Sequence, residues 1–205
     1  QWIFTGSKFV DCEASDDGGG VCAVLADGAH LNMTGCEFTS CKARNGGGYY
    51  ASVGKNVKIP VEDTSFTTCH SSGSGGGVYV TQEDGTGFVN MTNVTYTQCT
   101  ADENGGGFWA SIAASTSVNF TETTFDECES TGNGGGVYMS MTQGTGVNAY
   151  SLIFNKVYFT STSAGGDGGG LYLTLGQAMK ARLFSTAFTS TQSVGSGGGA
   201  VIKVG

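Results

Sequence analysis

Three consecutive glycines, followed by an apolar residue and usually an aromatic one, occur seven times, starting at Gly18, Gly46, Gly75, Gly105, Gly134, Gly168 and Gly197. The starts are 28, 29, 30, 29, 34 and 29 residues apart. A fixed period of this length commits a chain to a repeat architecture, in which each unit buries its apolar face only by stacking on the next. Glycine is abundant (36 residues) but lacks the every-third-residue spacing of collagen, and there is a single proline. Threonine, serine, valine and aromatics dominate the remainder, a composition suited to strands. No ten-residue window places apolar residues at i, i+3, i+4 and i+7, so helices are not expected. The whole chain, residues 1–205, reads as one solenoid domain.

Superposing the repeats on Phe9, Phe38, Phe66, Tyr96, Phe125, Phe159 and Phe188 gives the strand pattern. Seven residues earlier stand Trp2, Leu31, Ile59, Val89, Val118, Leu152 and Ala181, and five earlier Phe4, Met33, Val61, Met91, Phe120, Phe154 and Leu183. These columns define a period-2 strand with both positions inward. A mostly polar corner follows (Thr34-Gly35, Thr92-Asn93), then a second short strand carrying the Phe inward. A third strand follows the glycines, with pairs such as Val78 and Val80, or Leu171 and Leu173, inward. Three short strands per rung, about seven rungs and Gly/Asn/Asp corners predict an all-β parallel β-helix. At the usual strand spacing it would be about 35 Å long. Each glycine triplet is read as a tight corner requiring positive φ, not a phosphate cradle, since no Lys-Ser/Thr follows it.

The pairing of Phe-x-x-Cys with Gly-Gly-Gly-Val/Leu-Tyr resembles the repeats of the polymorphic outer membrane proteins, with their Phe-x-x-Asn and Gly-Gly-Ala-Ile motifs. The resemblance covers all seven rungs and implies a right-handed β-helix displayed at a cell surface, often adhesive. The chain departs from that pattern where the family has Asn: here stand Cys12, Cys41, Cys69, Cys99 and Cys128, then Thr162 and Thr191.

Three columns are candidates for chemistry. The five cysteines read as facing inward. Stacked neighbours such as Cys12 with Cys41, or Cys69 with Cys99, are close enough for disulfides, but parallel side chains equally suit a ladder of free thiols. Cys22 and Cys36 bring the total to seven, so at least one thiol is unpaired within the chain. Asn32, Asn90 and Asn119 begin Asn-x-Thr sequons in one outward register, with Asn93 adding a fourth at the adjoining corner. Used as glycan acceptors, they imply a secretory-pathway protein with N-glycans along one face. Tyr50, Tyr79, Trp109, Tyr138 and Tyr172 form an outward aromatic column. It reads either as a self-supporting ladder or as a platform for carbohydrate or a neighbouring subunit.

The net charge of −8, with nine scattered Lys and Arg, argues against a nucleic-acid partner, and no apolar run is long enough for membrane insertion. No metal or cofactor is expected, as no Cys-x-x-Cys spacing or neighbouring His accompanies the cysteines. An enzyme is not expected either. Asp16-Asp17, Asp102-Glu103 and Asp126-Glu127 fall on separate corners, Arg44 and Arg182 lie rungs apart, and His30 and His70 occupy different registers. Glu13 with Asp16 and Asp17 reads as a solvated corner and not a Ca²⁺ site. The one length excess falls near Thr142–Tyr150. The chain opens in a first strand (Trp2, Phe4) and closes in a third (Val201, Ile202), so both ends are expected to be uncapped. Open solenoid ends expose core and strand edges, which suggests either a piece of a longer repeat array or head-to-tail self-assembly of whole copies; the reading taken is an extracellular fibre such as a flagellar hair or surface fibril. The alternative is a cell-surface adhesin or carbohydrate-binding module using the aromatic column. A polysaccharide lyase or hydrolase ranks below both.

Overall fold

The computed structural model describes residues 1–112, 115–141, 151–176 and 179–205, and the Thr142–Tyr150 insertion lies outside them. The chain is an all-β parallel solenoid with a period of about 29 residues. Among the described residues every strand pairs in parallel with its counterpart one repeat away. The first sheet contains seven strands, from Trp2–Thr5 through Thr86–Thr92 to Lys180–Phe184; the second contains seven three-residue strands, from Lys8–Val10 to Ala187–Thr189. A seven-stranded sheet from Val21–Leu25 to Ala200–Val204 follows the glycines.

The three expected strands are joined by a fourth: two-residue strands from Lys42–Ala43 to Gln192–Ser193 form a six-stranded ladder between the cysteine column and the glycines. Its origin is backbone conformation. The residue two after each Phe (Asp11, Ser40, Thr68, Gln98, Glu127, Ser161, Ser190) has φ between 49° and 56°, as do most non-glycine residues at the preceding corner. One left-handed residue breaks the alternation, so the side chain three after an inward Phe also points inward and starts a new strand. The inward residues of that strand are small (Ala43, Ser71, Ala101, Ser130, Ala164) and buried against the glycine corner.

The three glycines of each corner serve different needs. The first has φ near +65°, from 61° at Gly46 to 71° at Gly18. At the second, a Cβ would run into the carbonyl oxygen of the corresponding glycine in the next rung, as at Gly76 against Gly106. At the third, a Cβ would meet the next rung's aromatic ring: Gly20 lies 2.6 Å from Phe38 Cδ1 and Gly107 2.6 Å from Phe125 Cδ1 by this measure. The glycines are therefore the mould into which the Phe column packs. Those seven rings stack continuously from Phe9 to Phe188, with centroids 4.6–5.1 Å apart and planes within 12° of parallel.

Polar ladders close the corners. The Asn45 side-chain oxygen accepts from the Ser74 backbone N–H, Asn104 from Asn133, Asn133 from Asp167, and Asp167 from Ser196, at 2.8–3.1 Å. These bonds satisfy backbone donors that the turn would otherwise leave unpaired. Pro60, without an N–H, stands where the pairing of Val57–Glu62 with Leu31–Thr34 shrinks to Met33–Val61 and Thr34–Glu62.

Candidate functional site

The cysteine column is a ladder of free thiols, as are all seven cysteines. Cys41, Cys69, Cys99 and Cys128 are buried, each donating to the main-chain oxygen of the aromatic in the preceding rung: Phe9, Phe38, Phe66 and Tyr96, at 3.3–3.6 Å. The neighbouring Cys69 thiol, then burial, pushes the Cys41 thiol far above its usual range; burial, then Cys128, does the same to Cys99. Such thiols are poor nucleophiles. Thr162 continues the column in the sixth rung, equally buried. Cys22 alone is exposed and Cys12 is half-buried. A thiol reagent at pH 8 should label Cys22 rapidly and Cys12 slowly. The five buried thiols should react only in denaturant, a count that mass spectrometry reads directly.

Asn32, Asn90 and Asn119 lie in one outward column of the first sheet, together with Ile3, Pro60, Ile153 and Arg182. All three asparagines are half-buried, and Asn119 Nδ2 donates to Asn90 Oδ1 at 2.9 Å in the adjacent rung. Asn93 is exposed on its corner at φ 53°, where its Nδ2 donates to Asp63 Oδ1 at 2.7 Å.

Tyr50, Tyr79, Trp109, Tyr138 and Tyr172 are aligned by strand register and form a second stack outside the core. Their centroids are 4.0–6.0 Å apart and their planes within 13° of parallel. The planes lie across the solenoid axis, so each inner ring has both faces covered by its neighbours and presents only an edge to solvent. The upper face of Tyr172 is taken by Lys203, whose Nζ lies 4.9 Å from the ring centre. A carbohydrate platform needs free ring faces, and those of the inner rings Tyr79, Trp109 and Tyr138 are turned towards stacked neighbours.

Burial raises the phenol pKa values along this stack: upward at Tyr50 and Tyr138, and from 10.0 to about 12 at Tyr79. A phenol with a raised folded-state value loses its proton more readily in the unfolded chain. Its stabilisation is complete below pH 10 and is lost as pH rises towards 12. Alkaline titration should therefore show the phenolate absorbance of the stacked tyrosines appearing together with loss of the β-sheet circular dichroism signal above pH 10.

Several carboxylates and one of the two histidines are engaged locally. Arg44 pairs with Asp16 at 2.7 Å and Asp17 at 3.5 Å, Gln98 donates to Glu127 at 2.7 Å, Ser74 Oγ donates to Glu103 at 3.3 Å, and His70 Nδ1 is 2.9 Å from Thr100 Oγ1. Exposed pairs of this kind contribute about 0–1 kcal/mol each. Among the described residues, no three His, Cys, Asp or Glu side chains converge as metal ligands would.

Side chains are less covered in the first and last described rungs. Trp2 is 68% exposed, Ile3 63% and Val24 80% at one end; at the other, Leu183, Phe184, Ile202 and Val204 are exposed. Phe4 and Phe9, inward by register, are only partly covered, whereas Phe38 to Phe159 are fully buried. Trp2, Phe4, Val21, Ala23, Leu25 and Leu31 line an open cavity of about 310 Å³ at the first end. Comparison of the chain with known protein families, curated proteins and solved structures finds no match.

Proposed function

We propose that this chain is an extracellular, N-glycosylated structural protein: a subunit of a fibre, such as a flagellar hair or surface fibril, built by head-to-tail stacking of right-handed β-helices. What supports this reading is the uniform stack itself, in which each rung buries its apolar columns and pairs its strand edges against a neighbour of the same shape. The polymorphic outer membrane repeat, which its motifs resemble, adds the expectation of display at a cell surface. Uniform rungs with carboxylates spread over separate corners favour a structural role over catalysis. The edge-on aromatic stack favours a ladder that stiffens the rod over an adhesin's sugar platform.

Sedimentation velocity over a dilution series tests the self-association. Larger species should accumulate with concentration and disappear in Trp2→Glu or Ile202→Glu. A wild-type chain that stays monomeric at the highest concentration overturns the reading. Endoglycosidase treatment of the natively produced protein should shift the mass of peptides carrying Asn32, Asn90, Asn93 or Asn119. Unmodified asparagines at all four positions would remove its secretory component.

A further inference from the structure

The outward aromatic column contains two pairs of tyrosines on adjacent rungs. Tyr50 lies in direct strand register with Tyr79, and Tyr138 with Tyr172. Their ring centroids are 5.1 and 5.2 Å apart, with planes 13° and 5° from parallel. Side chains leaving parallel strands at the same register point the same way, so the two phenols of each pair lie edge by edge. Trp109 stands between the pairs, 4.0 Å from Tyr79 and 6.0 Å from Tyr138, and keeps those two phenols from meeting. No other described tyrosine has such a partner. Tyr49 and Tyr96 are fully buried among apolar side chains, and Tyr158 stands between Thr124 and Ala187 in its sheet. Tyr150 lies outside the described residues.

We propose that the two pairs are modification sites, at which peroxidase-type oxidation joins neighbouring rungs through dityrosine bonds. Each phenol gives up one electron and its proton, and the resulting phenoxyl radical shares its unpaired spin with the ortho carbons. Two adjacent radicals combine through an ortho carbon–carbon bond. Each ring then returns the hydrogen of its bonded carbon to its oxygen and recovers its aromaticity. Two tyrosines thus lose two electrons and two protons, which reduce one hydrogen peroxide to two waters.

The fold supplies what free tyrosines lack. Both phenols are already side by side, so coupling does not wait for two radicals to meet by diffusion. The rings need only turn about χ2, a broad torsion, and lean together at their outer edges. Tyr50, Tyr79 and Tyr138 keep part of those edges in solvent, whereas Tyr172 is 7% exposed beneath Lys203. The Tyr50–Tyr79 pair should therefore couple first. The reaction needs a single copy of the chain, so it stands or falls apart from the fibre reading.

The test treats dilute protein, its accessible thiols blocked, with a haem peroxidase and hydrogen peroxide, followed by digestion and mass spectrometry. The Tyr50 peptide should appear joined to the Tyr79 peptide, and later the Tyr138 peptide to the Tyr172 peptide. Each product should be two hydrogens lighter than the sum of its parts, in a chain that still migrates as one copy. Tyr79→Phe keeps the stacked ring but has no phenol to oxidise, so it should lose the first link alone. Tyr172→Phe should lose the second alone. Tyrosines left unlinked, links formed only between copies, or links running mainly through Tyr158 would overturn the proposal.

Discussion

Gly107→Val should destabilise the solenoid by about 3 kcal/mol or more, at the high end for an overpacking substitution. The added Cβ would stand 2.6 Å from Phe125 Cδ1 and 2.9 Å from the Gly136 carbonyl oxygen. Neither neighbour can yield cheaply. The ring is fixed between Tyr96 at 4.6 Å and Phe159 at 5.0 Å, and the carbonyl accepts from both Gly107 N–H and Phe108 N–H, at 3.0 and 2.9 Å. Displacing them breaks ladder hydrogen bonds and core stacking together. Urea unfolding followed by circular dichroism measures the loss.

The second large effect is expected of Phe125→Ala. This fully buried ring stacks on two rings and meets Phe120 edge-on at 6.0 Å. Truncating a buried Phe costs about 3–5 kcal/mol, to which stacking geometry adds about 0.5–1.5 kcal/mol per aromatic pair. Because rungs contact only their neighbours, the loss should be local at first. Amide exchange should accelerate in the rungs holding Tyr96 and Phe159 while the end rungs keep wild-type rates. Uniform acceleration along the rod would contradict nearest-neighbour coupling.

What could be read from the sequence follows from which constraints leave a residue signature. The Phe, Val/Leu and glycine columns are chemically distinctive and recur with the period, so the parallel solenoid and its inward faces were legible. The fourth strand was not. Its corner depends on left-handed backbone at Asp11, Ser40, Thr68, Gln98, Glu127, Ser161 and Ser190, none of them glycine and one β-branched. The composition there looked like an ordinary polar spacer. The aromatic column was visible, but whether its rings offered faces or edges depends on rotamer and register, and alternation settles neither.

Cryo-electron microscopy of the wild-type chain at rising concentration, with the density traced across the boundary between copies, is the most direct test. Continuous fibres are predicted, with rung spacing of about 4.8 Å preserved through each junction. Discrete rods about 35 Å long that do not associate, or copies joined side by side through the aromatic column, would contradict end-to-end assembly.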